Sequence, residues 1–189
     1  MVLNKDDPDL SAALLPVLRR NAPIILPCDT IYGIVGAVPG AEARIRALKG
    51  RVEYKPFLEL IPDPARLADF TTQTVPAQIL SYWPGPLTII VRRKGEQGNV
   101  ALRVPRDKLL TSLLTELGSP LYSTSVNVSG REFLWRIDEI VSAFENKVEI
   151  IVDGGDLPDN LPSTIVDLTA SPSRLVRQGA VILPEDLFT

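Results

Sequence analysis

Apolar residues in this chain come in short runs closed off by proline or glycine, such as Ile24-Ile25-Leu26 after Pro23 and Leu87 to Arg92 after Trp83-Pro84-Gly85-Pro86. Runs of this length, bounded by turn formers, are strands of a buried sheet. Further strands are expected at Ile31 to Val38, Phe57 to Ile61, Val100 to Val104, Leu121 to Ser123, Val148 to Val152, Thr164 to Leu168 and Arg174 to Val176, with a tail at Ala180 to Leu183. In the Val100 run, Ala101 and Arg103 face away from the others. Helical spacing places helices at Pro8 to Asn21, Ala41 to Leu48, Pro76 to Tyr82, Lys108 to Leu117 and Ile137 to Phe144, with loop and one helical turn over Pro62 to Thr74. Roughly eight or nine strands against five or six helices make an α/β or α+β twisted sheet.

The 189 residues suit one domain, which at that size hides roughly 70% of the surface of its unfolded chain. No repeat or low-complexity linker divides it, and the 17 prolines make its loops stiff. Hydrophobic residues at 45% and charged residues at 23% are those of an ordinary folded protein. One cysteine, Cys28, forms no internal disulfide, and neither a leader nor a long apolar stretch is visible, so a cytoplasmic protein with no membrane contact is expected.

Histidine is absent, which removes Ser-His-Asp and Cys-His nucleophiles, and a lone cysteine leaves no zinc cluster. Chemistry must run on Lys, Arg, Asp, hydroxyls and backbone. The net charge of -3 argues against a generally basic nucleic-acid coat but allows a local cationic cleft.

Four segments put hydroxyls, glycines and cations on loops at strand ends. Pro27-Cys28-Asp29-Thr30-Ile31-Tyr32-Gly33 reads as a plain turn or as a carboxylate and hydroxyl facing a ligand. Lys49-Gly50-Arg51 with Lys55-Pro56 reads as a solvated loop or a triphosphate grip. Ser123 to Gly130 offers turn caps or an anion site. Pro162 to Asp167 and Arg177-Gln178-Gly179-Ala180 are turns when read alone. A P-loop and a GxGxxG dinucleotide motif are both missing.

Taken in order, the blocks PCDTIYG, KGRVEYKP, WPGPLT, LRVP, SVNVSG, STIVDL and RQGA resemble those of the YrdC-like threonylcarbamoyl-AMP synthases over residues 24–182. The resemblance implies a twisted mixed parallel and antiparallel open sheet of the YrdC/RibB-like kind, with flanking helices and a concave basic cleft. It implies a nucleotidyltransferase that makes threonylcarbamoyl-AMP and pyrophosphate from L-threonine, bicarbonate and ATP with Mg²⁺, for the t6A modification of tRNA. By matched position, threonine would be held by Thr30, Arg103, Ser125 and Ser163, with Arg103 pairing its carboxylate. ATP would contact Arg51, Lys55, Asn99, Asn127 and Arg177; Lys49, Arg51 and Lys55 would be the catalytic cations, and no resident metal is implied. Downstream transferases of the t6A pathway would be partners.

The chain departs from the pattern at several places. Cys28 replaces a threonine, Val52-Glu53-Tyr54 a proline-containing spacer, Phe57 a leucine, and Leu58 to Ile61 a stretch that carries histidine in some members. Arg131 to Trp135 replaces a proline- and hydroxyl-containing lid, and the chain matches the short form of the family. Two other readings stand beside the synthase: a non-catalytic module gripping tRNA or double-stranded RNA, and a paralogue adenylating another small carboxylated substrate.

Overall fold

The computed structural model describes residues 1–50, 56–95 and 97–188. Its ten strands, β1 (Val2–Asn4), β2 (Ile24–Pro27), β3 (Tyr32–Ala37), β4 (Leu58–Leu60), β5 (Leu87–Arg92), β6 (Asn99–Arg103), β7 (Leu121–Ser125), β8 (Ile151–Asp153), β9 (Thr164–Asp167) and β10 (Arg174–Arg177), form one sheet. The order is β1-β8-β2-β3-β7-β4-β6-β5-β9-β10, with parallel pairs at β1/β8, β2/β8, β4/β6 and β5/β9 and antiparallel pairs elsewhere. The sheet is mixed and open, as the resemblance implied.

Helices cover the sheet unevenly, and that unevenness makes the site. Side chains alternate between faces along each strand. On one face, Leu26, Val35, Leu60 and Leu121 pack against α1 (Leu10–Arg19) and α5 (Lys108–Leu117) through Leu14, Leu18, Leu110 and Leu114. On the other, Ile25, Ile34 and Tyr122 meet α2 (Glu42–Lys49) and α6 (Ile137–Phe144). Still on that second face, Ile89, Leu102 and Val166 are covered by Trp83, Ile79 of α4 (Ala77–Leu80) and flanking residues of α3 (Leu67–Phe70). On the first face, the part bordered by Leu58, Ala101, Arg103, Thr88, Ile90 and Ile165 has no helical residue lining it among the described residues.

β8 and β9 are consecutive in the chain but sit second and ninth in the sheet. Seven strand spacings measure about 34 Å, and the link between these strands reaches only about 36–40 Å when fully drawn out. That link also contains a turn at Pro158-Asp159. Residues 154–163 form a strap that passes the loop between β2 and β3, where Asn160 Nδ2 donates to Thr30 O, and brings Pro162 and Ser163 to the uncovered face. The Tyr32 hydroxyl accepts from Gly154 N (2.9 Å) and donates to Gly155 O (2.8 Å), pinning the start of the strap. Burial raises the Tyr32 pKa, against the Gly154 hydrogen bond.

Several boundaries differ from expectation. β1 is a strand where none was expected, so the described residues hold ten strands rather than eight or nine. β8 begins at Ile151, because Lys147 N and Val148 N still bond to Phe144 O at the end of α6. β7 runs on to Ser125, since Gly33 of β3 pairs with it. Ala180 to Leu183 forms no strand; Leu183 is buried there, and a 3-10 turn follows at Glu185–Phe188. No described helix is long and apolar enough to cross a membrane.

Candidate active site

The uncovered, concave face holds a cavity of about 410 Å³, within the roughly 300–1,000 Å³ range of small-molecule sites. Strand register builds its floor: Ser123 pairs with Leu58, Leu58 with Ala101, and Ala101 with Ile90, while Thr88 pairs with Ile165 and Ile165 with Arg177. The wall brings together Thr30, Arg103, Ser125, Ser163 and Arg177, five of the residues the sequence singled out.

Arg103 dominates the electrostatics. It is 1% exposed, and its Nη1 donates to Asp29 Oδ1 at 2.7 Å, while Asp29 Oδ2 accepts from Arg106 N at 2.8 Å. One oxygen of Asp29 thereby holds the guanidinium, and the other is anchored by the backbone. Arg103 Nε, equally buried, has no hydrogen-bond partner among the described residues. An unpaired buried donor on a charged group is costly, and the residue that bears it lines the cavity.

Arg177 supplies the second cation. A bulge between Leu175 and Arg177 inserts Val176 and turns Arg177 onto the cavity face. Its Nε and Nη2 donate to Ser163 O at 3.1 and 2.8 Å, and Nη2 also to Ser163 Oγ at 3.2 Å. Burial and then the charge of Arg103 lower its pKa. Two guanidiniums on one cavity repel each other, which an anion between them relieves.

The RQGA turn reaches this place because Gly179 carries no side chain. A Cβ there would lie 2.2 Å from Pro162 O and 2.6 Å from Ser163 C. Thr164 Oγ1 accepts from Gly179 N and Val181 N, each at 3.0 Å, and donates to Val181 O at 2.6 Å. Asn160 of the strap donates through Nδ2 to Thr30 O, tying the PCDTIYG block to the segment that carries Ser163.

Lys49 and Asn127 gather beside the cavity without lining it. Lys49, 3% exposed at the end of α2, donates from Nζ to Ser125 O at 2.7 Å and to Asn127 Oδ1. Ser125 Oγ donates to the same amide oxygen at 2.9 Å. Asn99 shares a strand face with Ala101 and Arg103 but starts β6, about 13 Å along the strand from Arg103. It is exposed and outside the cavity wall. Arg51 and Lys55 lie outside the described residues.

Cys28 lines the cavity as a thiol, not a thiolate. Burial pushes its pKa from 9.0 up to about 12, against the opposing charge of Arg103. Iodoacetamide at pH 8 is therefore expected to label it slowly in the folded protein and rapidly in denaturant; fast labelling of the native state would show an ionised, accessible thiol. The folded state keeps this proton where the unfolded chain loses it, so Cys28 withdraws stability as pH climbs from about 9 towards about 12.

Sequence reading missed Thr88 and Asn160 as members of the site. Thr88 stands in the WPGPLT block, whose other residues read as a turn; Asn160 carried no signal in the sequence.

Residues 16–179 match the model of the Sua5/YciO/YrdC family, described as telomere recombination. A threonylcarbamoyl-AMP synthase of Bacillus subtilis (strain 168) is 27% identical over an alignment 193 positions long, gaps included, that covers 95% of this chain and 56% of that protein. The chain thus spans little more than half the length of that relative. Among solved structures, Pyrococcus abyssi Sua5 complexed with L-threonine superimposes with a TM-score of 0.83 at 26% identity, covering 95% of this chain and 57% of the other. Escherichia coli YciO superimposes with a TM-score of 0.83 at 24% identity, over 100% of this chain and 97% of that one. The fold, the ordered blocks and the family match agree, and the chain belongs to the Sua5/YciO/YrdC family.

Proposed function

We propose that this chain is an L-threonylcarbamoyladenylate synthase, a nucleotidyltransferase that supplies threonylcarbamoyl-AMP for the t6A modification of tRNA. The observation that carries the reading is Arg103, buried at the cavity and held by Asp29, with Nε lacking a partner among the described residues. The guanidinium of Arg103 borders the cavity, where a carboxylate would pair with it in a two-point fork. Because Asp29 already fixes the guanidinium, little side-chain entropy is lost when the ligand arrives. Thr30, Ser125 and Ser163 border the same volume and would orient the rest of a threonine.

In this mechanism bicarbonate loses hydroxide to give CO2, the threonine nitrogen bonds to that carbon, and the proton the nitrogen loses leaves with the hydroxide as water, giving the carbamate. A carbamate oxygen then attacks the α-phosphorus of ATP in line, and the bond to pyrophosphate breaks. The attacking oxygen is already ionised, so that step needs no strong protein base, consistent with a chain that has no histidine. Positioning and charge neutralisation carry the barrier reduction. Arg177 and Asn127, with Arg51, Lys55 and Asn99, would serve ATP, and Lys49 would act through Ser125 and Asn127. No group of three or more His, Cys, Asp or Glu converges among the described residues. Mg²⁺ would enter as part of the MgATP substrate, neutralising the phosphates.

The test is purified protein with ATP, Mg²⁺ and labelled bicarbonate, with and without L-threonine, followed for pyrophosphate and threonylcarbamoyl-AMP. Threonine-dependent release of both is expected; release with another amino acid alone would favour the paralogue, and no release at all would refute adenylation. Arg51→Ala is expected to lower turnover about a hundredfold, the scale of losing one transition-state donor. Unchanged turnover would remove Arg51 from the site.

A further inference from the structure

Thr88 rises from β5 onto the cavity face, where it is 1% exposed. Among the described residues its hydroxyl has one hydrogen-bond partner, Ser163 Oγ at 2.8 Å. Heavy atoms alone leave open which oxygen donates, but the surroundings decide. A buried hydroxyl proton without an acceptor costs as much as a lost hydrogen bond, and Ser163 Oγ is the acceptor within reach of Thr88. Arg177 Nη2 donates to the same oxygen at 3.2 Å, and a guanidinium can only donate. A hydroxyl oxygen has two lone pairs, and these two donors occupy both.

We infer that Thr88 and Arg177 together lock Ser163 as a hydrogen-bond donor facing the cavity, which makes Thr88 a positioning residue that sets which end of the substrate lies there. The inference rests on the reading of this cavity as an amino-acid site. Ser163 Oγ–H and the guanidinium of Arg103 then form a wall of donors only. Such a wall accepts a carboxylate and rejects an ammonium or the nitrogen of a carboxamide. The carboxylate is thereby placed towards β6 and β9, and the amine towards Ser125 of β7. There the nitrogen that becomes the carbamate lies beside Asn127 and Lys49, next to the residues expected to hold the triphosphate.

Two measurements test this. Neutron diffraction from deuterated crystals is expected to show the Thr88 deuteron on the line to Ser163 Oγ and the Ser163 deuteron directed into the cavity; a Ser163 deuteron pointing at Thr88 would overturn the assignment. By calorimetry, Thr88→Val is expected to bind L-threonine about tenfold more weakly and to lose at least about fivefold of the preference for L-threonine over L-threoninamide. Thr88→Ser restores both. An unchanged preference in a folded Thr88→Val protein would refute a positioning role. Should the wild-type protein bind neither ligand, the amino-acid reading fails, and the neutron result still decides the proton.

Discussion

Arg103→Met is expected to abolish L-threonine binding and to destabilise the fold by about 3–5 kcal/mol, the scale of removing one partner from a buried ion pair. The stability loss comes from Asp29, whose side chain is 10% exposed and would keep its charge without its cation. The binding loss comes from the missing fork, at least about a hundredfold for a desolvated charge pair. Adding Asp29→Asn separates the two effects. The second change removes the stranded charge while an amide oxygen still accepts from Arg106 N, so the double variant should recover much of the stability but none of the threonine affinity. Urea unfolding and calorimetry read the two quantities independently. A single variant that still bound threonine with wild-type affinity would place the carboxylate elsewhere.

Gly179→Ala should have the next largest effect, although it adds only a methyl group to a surface turn. Backbone atoms meet the new Cβ, at 2.2 Å from Pro162 O, and backbone cannot rotate aside as the end of a side chain can. Overpacking of this kind costs about 1–3 kcal/mol. Relief requires the turn to lift from the strap, stretching the Arg177 bonds to Ser163 and the Thr164 bonds to Gly179 and Val181. Threonine affinity should therefore fall with stability, by about tenfold if the Ser163 contacts are lost. A melting temperature and an affinity both equal to wild type would mean that the turn is looser than its contacts suggest.

Much of this fold was legible because its signals are local. α5 runs from Lys108 to Leu117 as expected, since the Asp107 side chain accepts from Leu110 N at one end and Gly118 adopts φ 65° at the other. β5 and α6 also kept their expected bounds. β1 was missed because its partner is remote, Val2 pairing with Ile151, and β8 was expected three residues too early because Val148 is apolar although its N–H still closes α6. The site divides in the same way. Alternation along β6 correctly put Ala101 and Arg103 on one face, but it put Asn99 there too, and only the length of the strand separates Asn99 from the cavity. Lys49 read as an exposed cation next to a glycine, whereas its stem buries it and its ammonium is satisfied by Ser125 and Asn127. Thr88 read as an ordinary strand former; its role depends on Ser163, which lies 75 residues away.

The strap has a consequence for how the protein is made. Ribosomes deliver the chain from its N-terminus, and Thr30, Arg103 and Ser125 emerge well before Ser163, Arg177 and Gly179. Until Ser163, Arg177 and Gly179 have left the exit tunnel, the cavity lacks the wall they supply, and the guanidinium of Arg103 lies beside an unfinished surface. Nascent chains halted before Gly179 should thus hold most of the sheet yet lack a closed cavity, so that threonine could act as a ligand only once Gly179 has emerged. Such long-range closure is slow relative to helix formation, and it makes the interval between the emergence of Ser125 and that of Gly179 the window in which this protein is most exposed to misassembly.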